Sequence, residues 1–386
     1  MFGFKDKAKT KFNIDWSNVK SRHLDGFDIN QKDKYDLLPF YYACQWSELW
    51  VIQKFIDMGA NINDPDSQYF GLQNRINNNV EQGIEFLRLL KSNKAIINPQ
   101  ILGLVRNYEM FKTLINYVDS DAITPKIAGD LICVLLNRDK KQLVWGSKEE
   151  REQYKREPND KDYILIIKEL GKLGADVENT DALLIATSKD HSEEMVDLLL
   201  DWNANLDSED EIKSNQIMKP FNFAASFYGE NILKKFLMAG AKIDEPTYNN
   251  RFQPPLIAAI EPGTSYDSNN IAVKFLLENG ADPNSKFYED DDDRHGVSAL
   301  HLAIIQQAWT QNTKPLSIIK LLIDYGVDIN QVMLREGKLV TPLDEAERHL
   351  SFHSQFTKPT MLFKVIELLK KSGAKKTVYK TTSYLE

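Results

Sequence analysis

Three groups of residues could do chemistry. Glu345, His349 and His353 recur at four-residue intervals, so one helix face would carry a carboxylate and two imidazoles, the donor types of a transition-metal site. The zinc-protease pattern places Glu directly after its first His, whereas Leu350 follows His349 here. Cys44 could act as a nucleophile with one of six histidines as its base, but its setting, YYACQW, is that of a small core residue. Asp290 to Asp293, followed by Arg294, His295 and Gly296, form an acidic run. A calcium loop alternates its ligands and ends on Glu at the twelfth position; counting from Asp291, that position is Leu302. The run reads as a solvated tip, with the steering of a basic partner as its functional alternative. No Gly-rich phosphate loop is present. The expectation is a non-enzyme with no catalytic residue, no metal and no cofactor.

The elements that must carry such residues are those of an ordinary folded chain. The 386 residues are 42% hydrophobic and 27% charged, enough to bury a large core. Gly and Pro number only 18 and 14, which excludes collagen-like and low-complexity classes. The net charge is −8, with basic ends on an acidic body: residues 1–22 hold six Lys/Arg against two Asp, and 356–386 hold seven Lys against two Glu. Such a body does not track a phosphate backbone, so no nucleic-acid partner is expected. No apolar run approaches a membrane span, and the start, MFGFKDKAKTKFNIDW, lacks the apolar stretch of a signal peptide. Cys44 and Cys133 both lie in apolar surroundings and read as buried thiols in a reducing, cytoplasmic compartment.

Two phrases recur along the chain. One is an apolar stripe at helical spacing followed by Gly-Ala, a polar residue, an apolar residue and Asn or Asp. It reads IQKFIDMGANIN (52–63), IKELGKLGADV (167–177), VDLLLDWNANLD (196–207), LKKFLMAGAKID (233–244), VKFLLENGADPN (273–284), IKLLIDYGVDIN (319–330) and IELLKKSGAKK ending at Lys376, with a worn first copy, DGFDIN (25–30). The stripe gives a helix one buried face. The Gly suits a C-cap with positive φ, and Asn203 holds that place in one copy. The other phrase lies upstream: LPFYYA (38–43), DALLIA (181–186), PPLIAA (254–259), SALHLA (298–303) and TPLDEA (341–346). A capping residue, then Pro, then Leu is a helix start.

These phrases resemble the ankyrin repeat, a unit of ~33 residues with a β-turn and two helices marked by T-P-L-H-x-A. The resemblance implies an all-α ankyrin-repeat solenoid of about nine or ten units with β-turn or hairpin fingers, elongated and curved, each unit touching its neighbours. His301 falls at the family's structural His position in SALHLA. The Gly-equivalent positions are spaced 29 to 47 residues apart except for one step of 115, between Gly59 and Gly174. That gap holds three amphipathic segments without Gly-Ala, at 84–98, 110–123 and 124–139, read as worn repeats or as a helical insert. Expanded loops are expected at 261–269, 285–296, 307–315 and 348–359, and a charged surface segment at 139–162. The expected organisation is an N-terminal segment with a worn capping repeat (1–34), one repeat (35–66), degenerate repeats or an insert (67–170), and repeats with long loops and a C-terminal cap and tail (171–386).

By the same resemblance, the function is a protein–protein interaction scaffold that binds a protein partner on its concave face, built from first helices and fingers. That face would present Gln45 and Trp46, Ser188 and Lys189, and Phe227 and Tyr228, with Tyr248, Arg251, Phe252, Phe287 and Tyr288 on the fingers. Aromatics and Arg dominate binding hot spots. Asn- and Lys-rich, loop-expanded chains of this family resemble those of intracellular bacteria, which implies secretion into a host cell as an effector, with the polar tail KKTVYKTTSYLE as a signal. The alternatives are a neutraliser of a toxin or enzyme, and an enzyme with a small catalytic helical segment at 64–170. A monomer is favoured.

Overall fold

The computed structural model describes residues 15–20, 24, 28–33, 35–137, 160–188, 191–212, 216–244, 254–260, 270–287, 294–309, 314–353 and 360–377. The chain forms two compact units, Met1–Asp176 and Val177–Glu386. Both are built from paired helices, so the fold is an all-α repeat solenoid with short β fingers.

In the first unit, α1 (Pro39–Trp46) pairs with α2 (Leu49–Asp57), and α3 (Pro65–Asn78) with α4 (Val80–Ser92). A 3-10 helix (Pro99–Leu104) then precedes α5 (Tyr108–Ile115), and α6 (Pro125–Leu136) precedes α7 (Asp160–Lys172). Side-chain oxygens start three of these helices: Asp64 accepts from the Ser67 amide at 2.8 Å, Asn79 from Glu81 at 2.8 Å and Asn107 from Met110 at 2.8 Å. Asn98 caps the 3-10 helix, accepting from Gln100 at 2.9 Å. Between the caps Asn98 and Asn107 the chain forms a six-residue helix that winds as 3-10. Trp16 closes the N-terminal end of the core, fully buried, with its ring 6.1 Å from Tyr42 and 6.0 Å from Phe55.

The second unit pairs α8 (Ala182–Ser188) with α9 (Glu193–Asp201), and α10 (Pro220–Phe227) with α11 (Glu230–Met238). Then follow α12 (Pro255–Ile260) with α13 (Asn270–Glu278), α14 (Ala299–Trp309) with α15 (Lys314–Asp324), and α16 (Pro342–His353) with α17 (Thr360–Lys371). First helices stack on first helices and second on second. The fingers are a hairpin of β1 (Asp210–Ile212) and β2 (Gln216–Met218), a pair of β3 (Lys286–Phe287) with β5 (Val297–Ser298), and a sheet in the order β4 (Arg294–His295), β6 (Met333–Arg335), β7 (Lys338–Val340). All pairings are antiparallel, and β4 against β6 joins the finger of one repeat to that of the next.

One closure recurs at the end of the second helices. Gly59, Lys94, Asn203, Gly240, Gly280, Gly326 and Gly373 all have positive φ. Their amides donate three residues back at 2.9–3.2 Å, and the following amide donates five residues back at 2.9–3.0 Å, as Ala60 does to Phe55. This is the Schellman motif, which satisfies two carbonyls that the helix end would otherwise leave open.

The turn beyond the cap is built by side chains. Asn61, Asn205, Asp282 and Asp328 each accept from the amide two residues on, at 2.9–3.1 Å. The residue two further along reaches across to the next repeat. Asn63 accepts from the Ile96 amide at 2.8 Å, Asp244 from Asp282 at 2.8 Å, Asn284 from Asp328 at 2.7 Å and Asn330 from Lys375 at 2.6 Å. The recurring Asn or Asp of the sequence phrase is therefore a rung of an inter-repeat ladder.

Several expectations change. Helix α16 runs through His353, so residues 348–353 are helix, not loop; α14 likewise continues through Trp309. Cys133 is only half-buried, because it lies beside exposed Val134 on the outward side of α6, whereas Cys44 is fully buried. The loop at 261–269, the acidic run Asp290–Asp293 and most of the charged segment at 139–162 lie outside the described residues. The expected boundary at residue 66 falls inside α3.

Lys94 carries the left-handed conformation that elsewhere falls to Gly or Asn, with φ of 65°. That conformation costs an L side chain roughly 1–2 kcal/mol. Lys94→Gly should raise stability by about 1 kcal/mol, measured by the urea midpoint. An unchanged or lower midpoint would mean that the Lys94 side chain makes a compensating contact.

Candidate partner-binding face

The first helices of the first unit come unusually close. A Cβ on Gly71 of α3 would lie 3.0 Å from Cys44 Cβ and 3.1 Å from the Cys44 carbonyl oxygen of α1. Only Gly permits that approach. Arg75, buried one turn on, donates to the carbonyls of Cys44 and Ser47, the latter at 2.6 Å, and lies 4.8 Å from the centre of the Phe86 ring. It therefore fills the carbonyl end of α1, where a cation is favoured. Burial, only partly offset by the Arg75 charge, pushes the Cys44 thiol far up, so it is a packed core group and no nucleophile.

The outward sides of these two helices line up into a ledge. Tyr41 and Gln45 of α1 are half-buried, and Phe70 of α3 is 37% exposed. The Tyr41 and Phe70 rings meet edge-on at 5.8 Å, and Tyr69 meets Phe70 at 5.3 Å. The Asn74 side chain donates to the Gln45 carbonyl. Trp46 is half-buried at the end of α1. Burial, with the carboxylates of Asp66 and Asp64 nearby, pushes the Tyr41 phenol up against a hydrogen bond with Gln45 that lowers it. Phe70 and Asn74 carry no sequence signal beyond their four-residue spacing, since α3 lacks the Thr-Pro-Leu phrase.

In the second unit the expected residues fare differently. Ser188 is half-buried and donates to the Ile185 carbonyl at 3.3 Å. Phe227 is half-buried and packs on Leu184, Met218, Phe223 and Ala258. Tyr228 is a correction: it is 4% exposed, and its hydroxyl donates to the His191 carbonyl at 2.6 Å. It ties the loop after α8 to the end of α10 and offers nothing to a partner. Phe287 is placed by its backbone on β3, opposite Val297. Lys189, Tyr248, Arg251, Phe252 and Tyr288 lie outside the described residues.

The imidazoles and carboxylates of the second unit are structural couplers. His301 Nε2 lies 3.1 Å from the Val340 carbonyl, which can only accept, so that nitrogen carries the proton. Its Nδ1 then accepts from the Ser298 hydroxyl at 2.8 Å. Burial pushes His301 down to about 4, against the pull of the Val340 carbonyl, and keeps it neutral. Asp344 takes the same place in TPLDEA and accepts from Thr341 and from Thr377 of the C-terminal segment. Glu345 is fully buried between Arg335 at 2.9 Å, Arg348 at 2.8 Å and His349 at 3.0 Å. Burial would raise its carboxyl, but hydrogen bonds from His349 and Arg348 and the charges of Arg348 and Arg335 outweigh it and hold the group down to about 2. Two guanidinium groups thus occupy the carboxylate that a metal would need. Among the described residues no set of three or more His, Cys, Asp or Glu is arranged to hold a metal.

Residues 221–333 match the family model for ankyrin repeats, in three copies. Within that stretch the helix pairs and fingers from α10 to β6 are ankyrin repeats, which supports reading the chain as an ankyrin-repeat protein. No curated protein sequence matches it at a meaningful level. Ankyrin repeats are protein-interaction modules and typically non-catalytic. No helix among the described residues is long and apolar enough to cross a membrane.

The buried His301 has a pH signature. Its native value of about 4 lies below its ordinary 6.5, so the unfolded chain takes up a proton that the native one refuses. Stability should therefore fall as pH drops from about 6.5 to about 4, by up to ~3 kcal/mol. Glu345, held at about 2 against an ordinary 4.5, adds a further loss below about 4.5. His301→Gln should flatten the upper part of this curve in denaturant titrations at stepped pH. A parent and variant with parallel curves between pH 6.5 and 4 would contradict the assignment.

Proposed function

We propose that this protein is a non-catalytic scaffold that grips a protein partner on the face made by its first helices and fingers. The observation that carries the reading is that first helices in each unit leave aromatic side chains partly open: Tyr41, Trp46 and Phe70 in the first, and Phe227 in the second. Aromatic rings on rigid elements suit binding anchors, because they bring large contact area at little entropic cost. The finger ladder supports a preformed surface, since its turns are fixed by side chains before any partner arrives.

The same reading takes residues 67–170 as worn repeats and not as a catalytic insert. Helices α3 and α4 pair as the clear repeats do and end on the same cap at Lys94, with the same rung from Asn63 to Ile96. Neither Cys44 nor Cys133 is in a disulfide among the described residues, which accords with a reducing compartment.

Affinity capture from a lysate with the intact protein, and with Trp46→Ala, Phe70→Ala and Phe227→Ala, tests the proposal. The expected outcome is loss of the same partner from one or more variants whose circular dichroism is unchanged. A partner set identical in all four would overturn it.

A further inference from the structure

We propose that the ledge formed by α1 and α3 is a docking site for a basic, apolar peptide segment, one in which a Lys or Arg neighbours an aromatic or branched aliphatic residue. The inference rests on the scaffold reading and names the partner chemistry of one part of that face.

The argument begins with charge. The sequence of α1, PFYYACQW, contains no ionisable cation or carboxylate. In α3 the one cation is Arg75, and its guanidinium is buried against the carbonyls of Cys44 and Ser47. The charge that α3 presents outward is Asp66, exposed in its first turn, with the capping Asp64 half-buried beside it. Both carboxylates act on the Tyr41 phenol, which places them at the same end of the ledge as that ring. Among the described residues no Lys or Arg pairs with Asp66.

The rings complete the chemistry. Tyr41 and Phe70 stand edge-on at 5.8 Å, and Tyr69 stands beside Phe70. A cation over such a ring is attracted by the ring's negative face, and a carboxylate alongside adds to that attraction. The apolar neighbour of the cation would rest on Phe70, whose ring is 37% exposed. Gln45 and Asn74 add amide groups able to meet a peptide backbone. At the far end of α3, Asn77 accepts from Arg106, so the ledge runs from acidic at the finger side to basic at the other. A bound segment should therefore lie with its cation toward the finger of Asn61–Asp64.

Asp66 also sits where a helix dipole favours an acid, so Asp66→Asn should change folding little while removing the charge. Selection of short random peptides displayed on phage against the intact protein, with counter-selection on Phe70→Gln, isolates the binders of the ledge. The expected winners carry Lys or Arg next to an apolar residue. Titration by fluorescence anisotropy should show Asp66→Asn weakening them by roughly threefold to fivefold. That loss should shrink in high salt and vanish for the same peptide with its cation changed to Gln. Phe70-dependent peptides that are neutral or acidic, or that ignore both Asp66→Asn and salt, would overturn the basic-segment inference and leave the scaffold reading standing. A selection in which no peptide depends on Phe70, with the variant folded, would remove the ledge from the binding face altogether.

Discussion

Everything in this chain depends on how a helix ends. At seven places among the described residues a second helix stops on a residue of positive φ, and two amides turn back to close its last carbonyls. The closure fixes the direction in which the chain leaves, and an Asn or Asp two residues further folds the turn. The next polar residue in line then reaches the equivalent turn of the following repeat. Local backbone chemistry and long-range stacking are thus two uses of the same phrase. Because each rung touches only the next repeat, order passes along a unit by nearest neighbours.

The binding face inherits its rigidity from that arrangement. Second helices are fixed by the helix closure, and first helices pack on them and on one another. In the first unit they are drawn together further by Gly71 and by the buried Arg75. In the second unit Tyr228, His301 and Asp344 tie loops and neighbouring repeats with hydrogen bonds to carbonyls or hydroxyls. Two of the side chains that could have done chemistry are engaged in structure: Glu345 is held by two guanidinium groups with His349 beside it, and Cys44 is sealed in the core. Among the described residues the first helices leave rings and amides partly open, groups suited to recognising a partner.

Much of the fold was legible because Gly and Asn mark the closure in the sequence, and because Pro after a capping residue marks the helix start. The segment between Gly59 and Gly174 was hard to read for the same reason. At Lys94 the backbone adopts the closure without Gly, and in α3 the stripe is diluted by Gln and Asn, so neither signal reaches the eye. The helix at Pro99–Leu104 winds as 3-10, which no periodicity in the sequence announces. The site was less legible than the fold. Tyr228 looks like an anchor in the sequence, and only the path of the chain shows that its hydroxyl meets the His191 carbonyl. Phe70 was missed because exposure depends on the neighbouring helix and not on spacing within its own.

The ladder between fingers is the claim on which the rest stands, and amide hydrogen exchange read by NMR addresses it most directly. In Asn284→Ala the Asp328 amide loses its acceptor, while the Asp282 amide keeps Asp244. The account expects faster exchange at Asp328 with protection at Asp282 unchanged. Equal protection of Asp328 in parent and variant would contradict it.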